Sequence, residues 1–281
     1  MDANQIDRAA TAVRRAQGLL VSAGAGMGVD SGLPDFRGTE AFWESYPAFG
    51  KLRLDLAKLS NSNWFHEQPE LAWGFYGHRL RLYRDTEPHP GFALLRKWME
   101  ARPKKGFVFT SNLDGHFQKA GFDEEQVYEV HGSVHWAQCE ADCGAGIFPV
   151  TFDVPLDWAT MRAHEVPRCP ACGGLARPNV LMTGDRPFDD GRSSFQALRF
   201  HRWFESIDGE LTIVELGAGH AVPTVRQTDD KLAESPVTTL IRINPAEPQV
   251  PQGHIGIAAG ALEALLAIDA VLGSTEPRDR G

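Results

Sequence analysis

Apolar positions along this chain change their period several times, and each change marks an element. From Ile6 to Gln17 they recur at helical spacing, which predicts an amphipathic helix. Gly18-Leu19-Leu20-Val21 then forms a short continuous apolar run, the pattern of a parallel strand buried on both faces. Similar runs at Gly106-Phe107-Val108-Phe109-Thr110, Pro178 to Met182, Leu211 to Leu216 and Thr238 to Ile243 predict further buried strands, and Ala259 to Leu272 reads as a closing helix. Strands of this kind alternating with helical stretches predict an α/β fold with a Rossmann-like parallel sheet. Between Thr39 and Arg84 the strand character disappears and aromatics accumulate (Phe42, Trp43, Trp64, Phe65, Trp73, Phe75, Tyr76), which predicts a helical insertion. Those rings are core material first, and a wall for a substrate cleft second.

The first strand runs into Gly24-Ala25-Gly26-Met27-Gly28, a turn in which missing Cβ atoms let the backbone approach a pyrophosphate and offer its amides. Asp35-Phe36-Arg37 follow, placing a ring and a guanidinium just downstream of the turn, where they could cover a nicotinamide ribose and pair with phosphate oxygens. The run ending at Thr110 leads into Ser111-Asn112-Leu113-Asp114, so polar side chains stand at the carboxyl end of a parallel strand, where open α/β sheets bind ligands. Asn and Asp would also serve an ordinary turn there.

The four cysteines form two close pairs, Cys139-x3-Cys143 and Cys169-x2-Cys172, separated by 25 residues. This spacing predicts a closed four-thiolate zinc site in a small module; two disulfides are the competing reading. Four thiolates leave no open position, so the metal would be structural. Met1-Asp2-Ala3-Asn4-Gln5 has neither the basic start nor the apolar core of a secretory leader, which favours a cytoplasmic location and reduced thiols. No apolar run approaches the ~20 residues that span a bilayer. A formal net charge of −9 argues against nucleic acid as a partner; Arg79, Arg81 and Arg84 are an example of a local basic patch, though arginines so spaced on a helix usually form a solvated face.

In order and spacing these segments resemble the sirtuins, the NAD-dependent protein deacylases. The stretch from Gly24 to Arg37 is similar to the family's Gly-Ala-Gly-Ile-Ser followed by Ser-Gly-Ile-Pro-Asp-Phe-Arg. Thr110-Ser111-Asn112-Leu113-Asp114-Gly115 is similar to its Thr-Gln-Asn-Ile-Asp-Gly, and Val130-His131-Gly132-Ser133 to its catalytic His-Gly-Ser. Glu215-Leu216-Gly217-Ala218-Gly219 stands where the family has Gly-Thr-Ser, and Ile243-Asn244 where it has a ribose-binding Ile-Asn. The likeness covers about Leu19 to about Leu272.

This resemblance implies one catalytic domain over 1–273: a Rossmann-like core at about 1–38, 85–137 and 177–273, the helical insertion at about 39–84, a zinc module at about 138–176, and a disordered tail at 274–281. It implies NAD as co-substrate, held by Gly24, Ala25, Gly26, Met27, Gly28, Asp35, Phe36, Arg37, Ser111, Asn112, Asp114, Gly217, Ala218, Gly219, Asn244 and Ala258. Of ten histidines, His131 alone falls in a matching motif and takes the part of the base that activates a ribose hydroxyl; Asn112 and Asp114 order the ribose and the nicotinamide carboxamide. The implied partner is an acylated-lysine protein or peptide; no membrane is implied, and no oligomeric state follows.

Three segments depart from the pattern. Ser111 replaces a Gln, Ala218-Gly219 replace Thr-Ser, and Met182-Thr183-Gly184-Asp185-Arg186-Pro187 replaces the Phe-Gly-Glu loop that clamps the acylated peptide. They keep an ADP-ribosyltransferase or NAD glycohydrolase in view as the alternative activity. Tyr76-Gly77-His78-Arg79 resembles the Tyr-x-x-Arg of the subclass that removes succinyl and malonyl groups, and residues three apart on a helix share a face. Tyr76 and Arg79 are therefore the candidate acyl-binding pair.

Overall fold

Every residue of the first strand, β1 (Gly18–Ala23), is buried, and its side chains divide between two apolar layers. Leu19, Val21 and Ala23 enter one core and Leu20 the other, the two-residue period expected of a strand covered on both faces. In this computed structural model, which describes residues 1–34, 42–44, 46–51, 53–54, 56–185 and 187–274, β1 lies inside a six-stranded sheet. Next along the chain come β2 (Gly106–Thr110) and β3 (Val127–Glu129). β4 (Gly132–Cys139), β5 (Ile147–Pro149), β6 (Leu156–Asp157), β7 (Arg162–Ala163) and β8 (Ala176–Val180) follow outside that sheet. β9 (Leu211–Leu216), β10 (Thr238–Ile243) and β11 (Ile255–Ile257) return to it. The order is β11-β10-β9-β1-β2-β3, with parallel pairing throughout.

Ten helices are used below: α1 (Ala3–Arg15), α2 (Pro47–Lys51), α3 (Leu56–Leu59), α4 (Asn63–Glu67), α5 (Pro69–Asp85), α6 (Gly91–Glu100), α7 (His116–Lys119), α8 (Gly191–Glu205), α9 (Thr224–Leu232) and α10 (Ala261–Ser274). α1 begins where the Asp2 carboxylate accepts the Asn4 amide at 2.9 Å, and it ends on Arg14 and Arg15, which suit the negative end of its dipole. One sheet face packs on α1, α6 and α10 through Ile6, Phe92, Leu95, Leu265 and Ile268. The other packs on α8 and α9 through Phe200 and Val225.

The described part of the insertion is helical. Its rings, among them Phe49, Phe65, Trp73 and Phe75, share one core with Val134, Ala137 and Val180 of the small antiparallel sheet β5-β4-β8. Trp73 adds a hydrogen bond from Nε1 to the Ala176 carbonyl at 2.7 Å. Insertion and cysteine module thus form a single second layer, and its sheet extends from Gly132 to Val180, past both ends of the 138–176 segment.

The strand runs at Gly106–Thr110, Leu211–Leu216 and Thr238–Ile243 appear with the expected bounds. The run at Pro178 to Met182 needs correction: its strand is β8, two residues earlier, and it pairs antiparallel with β4 outside the parallel sheet. The polar side chains of Arg177 and Asn179, both buried, have partners there that a purely apolar sheet interior would not supply. Among the described residues no helix is long and apolar enough to cross a membrane.

Candidate active site

Parallel registration brings the carboxyl ends of five strands side by side. Ile243 lies opposite Leu216, Leu216 opposite Ala23, Ala23 opposite Thr110, and Thr110 opposite Glu129. Asn244, Gly217, Gly24 and Ser111 follow these ends directly, and His131 comes two residues after Glu129. Candidates spread over more than 200 residues of sequence therefore meet on one sheet edge.

The two glycine turns interlock. A Cβ on Gly24 would stand 2.8 Å from the Ala218 Cα; Gly217 has φ +60°, and a Cβ there would stand 2.3 Å from the Gly26 carbonyl carbon. Neither position accepts a side chain. The Gly24 amide donates to Leu216 O at 3.0 Å and the Gly26 amide to Gly217 O at 3.1 Å, so Gly26 has its amide committed to the second turn. Behind them, the Ala218 carbonyl accepts from Asn244 Nδ2 at 2.7 Å and from Arg226 Nη2 at 3.0 Å. Asn244 is fully buried, and its Oδ1 accepts the Ala246 and Glu247 amides, each at 3.0 Å. Its side chain braces the loop.

A cavity of about 350 Å³ opens over these turns. Its walls include Gly24, Ala25, Ser111, Asn112, Asp114, His131, Gly217, Ala218 and Gly219, together with Tyr76, Arg79, Tyr83, Met182 and Thr183. Asn112 is nearly buried and donates from Nδ2 to Gly24 O at 3.0 Å, which ties the β2 loop to the first turn. Asp114 accepts the His116 amide at 2.9 Å. A bulge in β4 between Ser133 and Ala137 steadies this loop: the Val134 amide donates to Leu113 O at 3.2 Å and His135 Nε2 to Asp114 O at 2.8 Å. Burial holds the imidazole of His131 below its ordinary pKa, opposed more weakly by a hydrogen bond to the Ser111 backbone, so the neutral form is favoured. Gly26, Met27, Gly28, Asn244 and Ala258 do not wall the cavity; Met27 is core, and Ala258 is exposed beyond β11. Asp35, Phe36 and Arg37 lie outside the described residues.

On α5, Tyr76 and Arg79 share the cavity wall, as helical spacing requires. Arg79 donates from Nε at 2.8 Å and from Nη2 at 2.6 Å to the hydroxyl of Tyr83. Burial pushes the Tyr76 phenol up to about 12, with Arg79 pulling the other way, so it stays a neutral donor. Arg79, Arg81 and Arg84 form no common basic patch: Arg79 turns inward, Arg81 pairs with Asp85 at 3.5 Å and Arg84 with Asp153 at 3.0 Å.

The four thiols of Cys139, Cys143, Cys169 and Cys172 lie within 4.8 Å of one another, with Cys139–Cys172 and Cys143–Cys169 each at 3.6 Å and no disulfide. A tetrahedral zinc with Zn–S bonds near 2.3 Å needs S···S edges of about 3.8 Å, so the cluster fits the ion.

A family profile described as Sir2 family matches residues 24–202. The chain belongs to the Sir2 family. Among its Sir2 relatives, a protein of Pyrobaculum aerophilum named NAD-dependent protein deacetylase 1 is 30% identical over 75% of this chain and 76% of its own. One of Thermus thermophilus, named NAD-dependent protein deacylase, is 28% identical over 93% and 92%. A crystal structure described as a Sir2 homolog–NAD complex shares the fold at a TM-score of 0.72, with 22% identity over 98% of this chain and 96% of that one.

Some residues of this Sir2 site have no sequence signal. Tyr83, Thr224 and Arg226 look like ordinary helix residues, yet they contact Arg79, His131 and the second glycine turn. Only the helical spacing of Tyr83 from Arg79 could have pointed to one of them.

Proposed function

We propose that this chain is an NAD-dependent protein-lysine deacylase, consuming NAD, releasing nicotinamide and passing the acyl group to ADP-ribose. The observation that carries this reading is the meeting of Asn112, Asp114 and His131 in one cavity walled by two interlocked glycine turns, in a Sir2-family chain. The relatives' names, NAD-dependent protein deacetylase and deacylase, support it.

In this reading the turns at Gly24–Ala25 and Gly217–Gly219 receive the dinucleotide through backbone groups, since neither carries a side chain able to bond it. The Ala218-Gly219 departure is then offset by rigidity: Asn244 and Arg226 fix the Ala218 carbonyl from behind. Asp114 and Asn112 order the nicotinamide and its ribose. The acyl oxygen attacks C1′ of that ribose as nicotinamide leaves, and neutral His131 then takes the proton of a ribose hydroxyl. Cys139, Cys143, Cys169 and Cys172 would hold a structural zinc with no open position for substrate.

Tyr76 and Arg79 support an acidic acyl group, because a neutral phenol and a guanidinium on one wall can both donate to a distal carboxylate. The acyl donor is an acylated-lysine protein, and four cysteines outside any disulfide suit a reducing cytoplasm. Nicotinamide release, measured with and without a panel of acyl-lysine peptides, tests the reading. Peptide-dependent release with O-acyl-ADP-ribose as product is expected. Peptide-independent release with free ADP-ribose, or ADP-ribose on protein, would replace it with a glycohydrolase or a transferase.

A further inference from the structure

The hydroxyl of Tyr83, one helical turn beyond Arg79 on α5, accepts from Arg79 Nε at 2.8 Å and from Nη2 at 2.6 Å. Both donors lie on one edge of the guanidinium, so the two bonds fix its plane as well as its place. The same guanidinium lies over the Phe75 ring, with Cζ 5.4 Å from the centroid. Tyr76, Arg79 and Tyr83 stand at i, i+3 and i+7 on one helix face, and all three wall the cavity.

This anchor carries no charge. Burial raises the pKa of the Tyr83 phenol, against the pull of Arg79, so the hydroxyl keeps its proton. A carboxylate in the same place would also hold the guanidinium, but it would cancel the charge that an acidic acyl group is to meet. A neutral oxygen orients without cancelling. The Nη1–Nη2 edge, the other fork that a carboxylate can engage, is aimed by the same two bonds.

We infer that Tyr83 is a positioning residue for Arg79, a neutral anchor that holds the guanidinium ready for the distal carboxylate of an acidic acyl group. An arginine on a mobile stem loses rotamer freedom when it binds; one already held loses less. The Tyr83 ring itself is buried in the core shared by the insertion and the small antiparallel sheet, so Tyr83→Phe keeps that packing and removes only the hydroxyl.

The inference rests on the deacylase reading and on the acidic acyl group proposed with it. The test uses the whole chain and one lysine peptide carrying either a succinyl or an acetyl group. Tyr83→Phe is expected to lower the succinyl-to-acetyl ratio of kcat/KM about three- to tenfold, the scale of ordering one long side chain on binding. The loss should appear in KM for the succinyl peptide and not in its kcat. In an Arg79→Met background, with no guanidinium left to position, the same change should leave the ratio where it was. An unaltered ratio, a loss confined to kcat, or losses that multiply in the double variant would each overturn the inference. Tyr83→Met, an apolar filler, serves in the same assays if phenylalanine does not fold. Wild-type protein with no preference for the succinyl peptide would overturn the acidic-acyl reading, and this inference with it, while the deacylase reading stands. Wild-type protein inactive on both peptides would overturn the deacylase reading itself.

Discussion

Arg177 on β8 sends both terminal nitrogens to the carboxylate of Asp185, each 2.8 Å from one oxygen, and neither side chain reaches solvent. Its Nε lies 3.1 Å from Glu140, next to Cys139, and Asp185 also accepts the Met182 amide at 3.2 Å. The pair thus closes the loop carrying Met182 and Thr183 along the cavity wall. Removing the Asp185 carboxylate leaves the buried guanidinium with Glu140 alone to offset its charge, so Asp185→Leu should cost about 3–5 kcal/mol of unfolding free energy. Removing the whole cluster, with Glu140→Gln and Arg177→Met beside Asp185→Leu, should cost clearly less. Denaturant titration of the wild type, Asp185→Leu and the combined variant measures the difference, and a combined variant no more stable than Asp185→Leu would contradict it.

Metal content gives a second prediction. Purified protein kept reduced should carry about one zinc per chain, and Cys169→Ser should lose it along with stability, because binding free energy at a closed site is folding free energy. Elemental analysis after gel filtration decides the point; metal-free wild-type protein would refute the assignment.

His131→Ala should lower deacylation by at least ~10²-fold while ADP-ribose still binds. The pH profile carries a further expectation with a definite sign. The folded-state pKa is depressed, so the imidazole stays neutral, and competent as a base, below its ordinary 6.5. A plot of kcat/KM against pH, which reports the free enzyme, should have its acid limb below 6.5. An acid limb at or above that value would show that the base is not a buried imidazole.

Acyl preference depends on Arg79. A charge-assisted hydrogen bond to a succinyl carboxylate contributes about 1.5–3 kcal/mol, so Arg79→Met should reduce the succinyl-to-acetyl ratio of kcat/KM roughly ten- to a hundredfold. Parallel changes in the two rates would remove the acidic-acyl reading.

What the sequence disclosed follows from the range of the forces involved. Glycine turns and close cysteine pairs are local demands on backbone and ligand geometry, so Gly24, Gly217 and the four thiols stand out in a linear reading. The long buried strands β2, β9 and β10 announce themselves by continuous apolar runs. The three-residue edge strands β3 and β11 are too short to carry a period. Thr224, Arg226 and Arg177 were illegible for another reason: arginine and threonine are usual surface residues, and nothing nearby in sequence shows that their partners are His131, the Ala218 carbonyl and Asp185.

One strand serves three clients. β4 starts at the residue after His131, bonds the Leu113–Asp114 loop through its bulge, and ends at Cys139. It is the datum line from which the base, the loop and the thiol cluster are all measured. A slip of β4 by one residue would exchange its two faces and displace all three together. A grafted or shortened cysteine module would therefore arrive with its own misalignment, and the chemistry at the other end of the strand would register the error before the fold did.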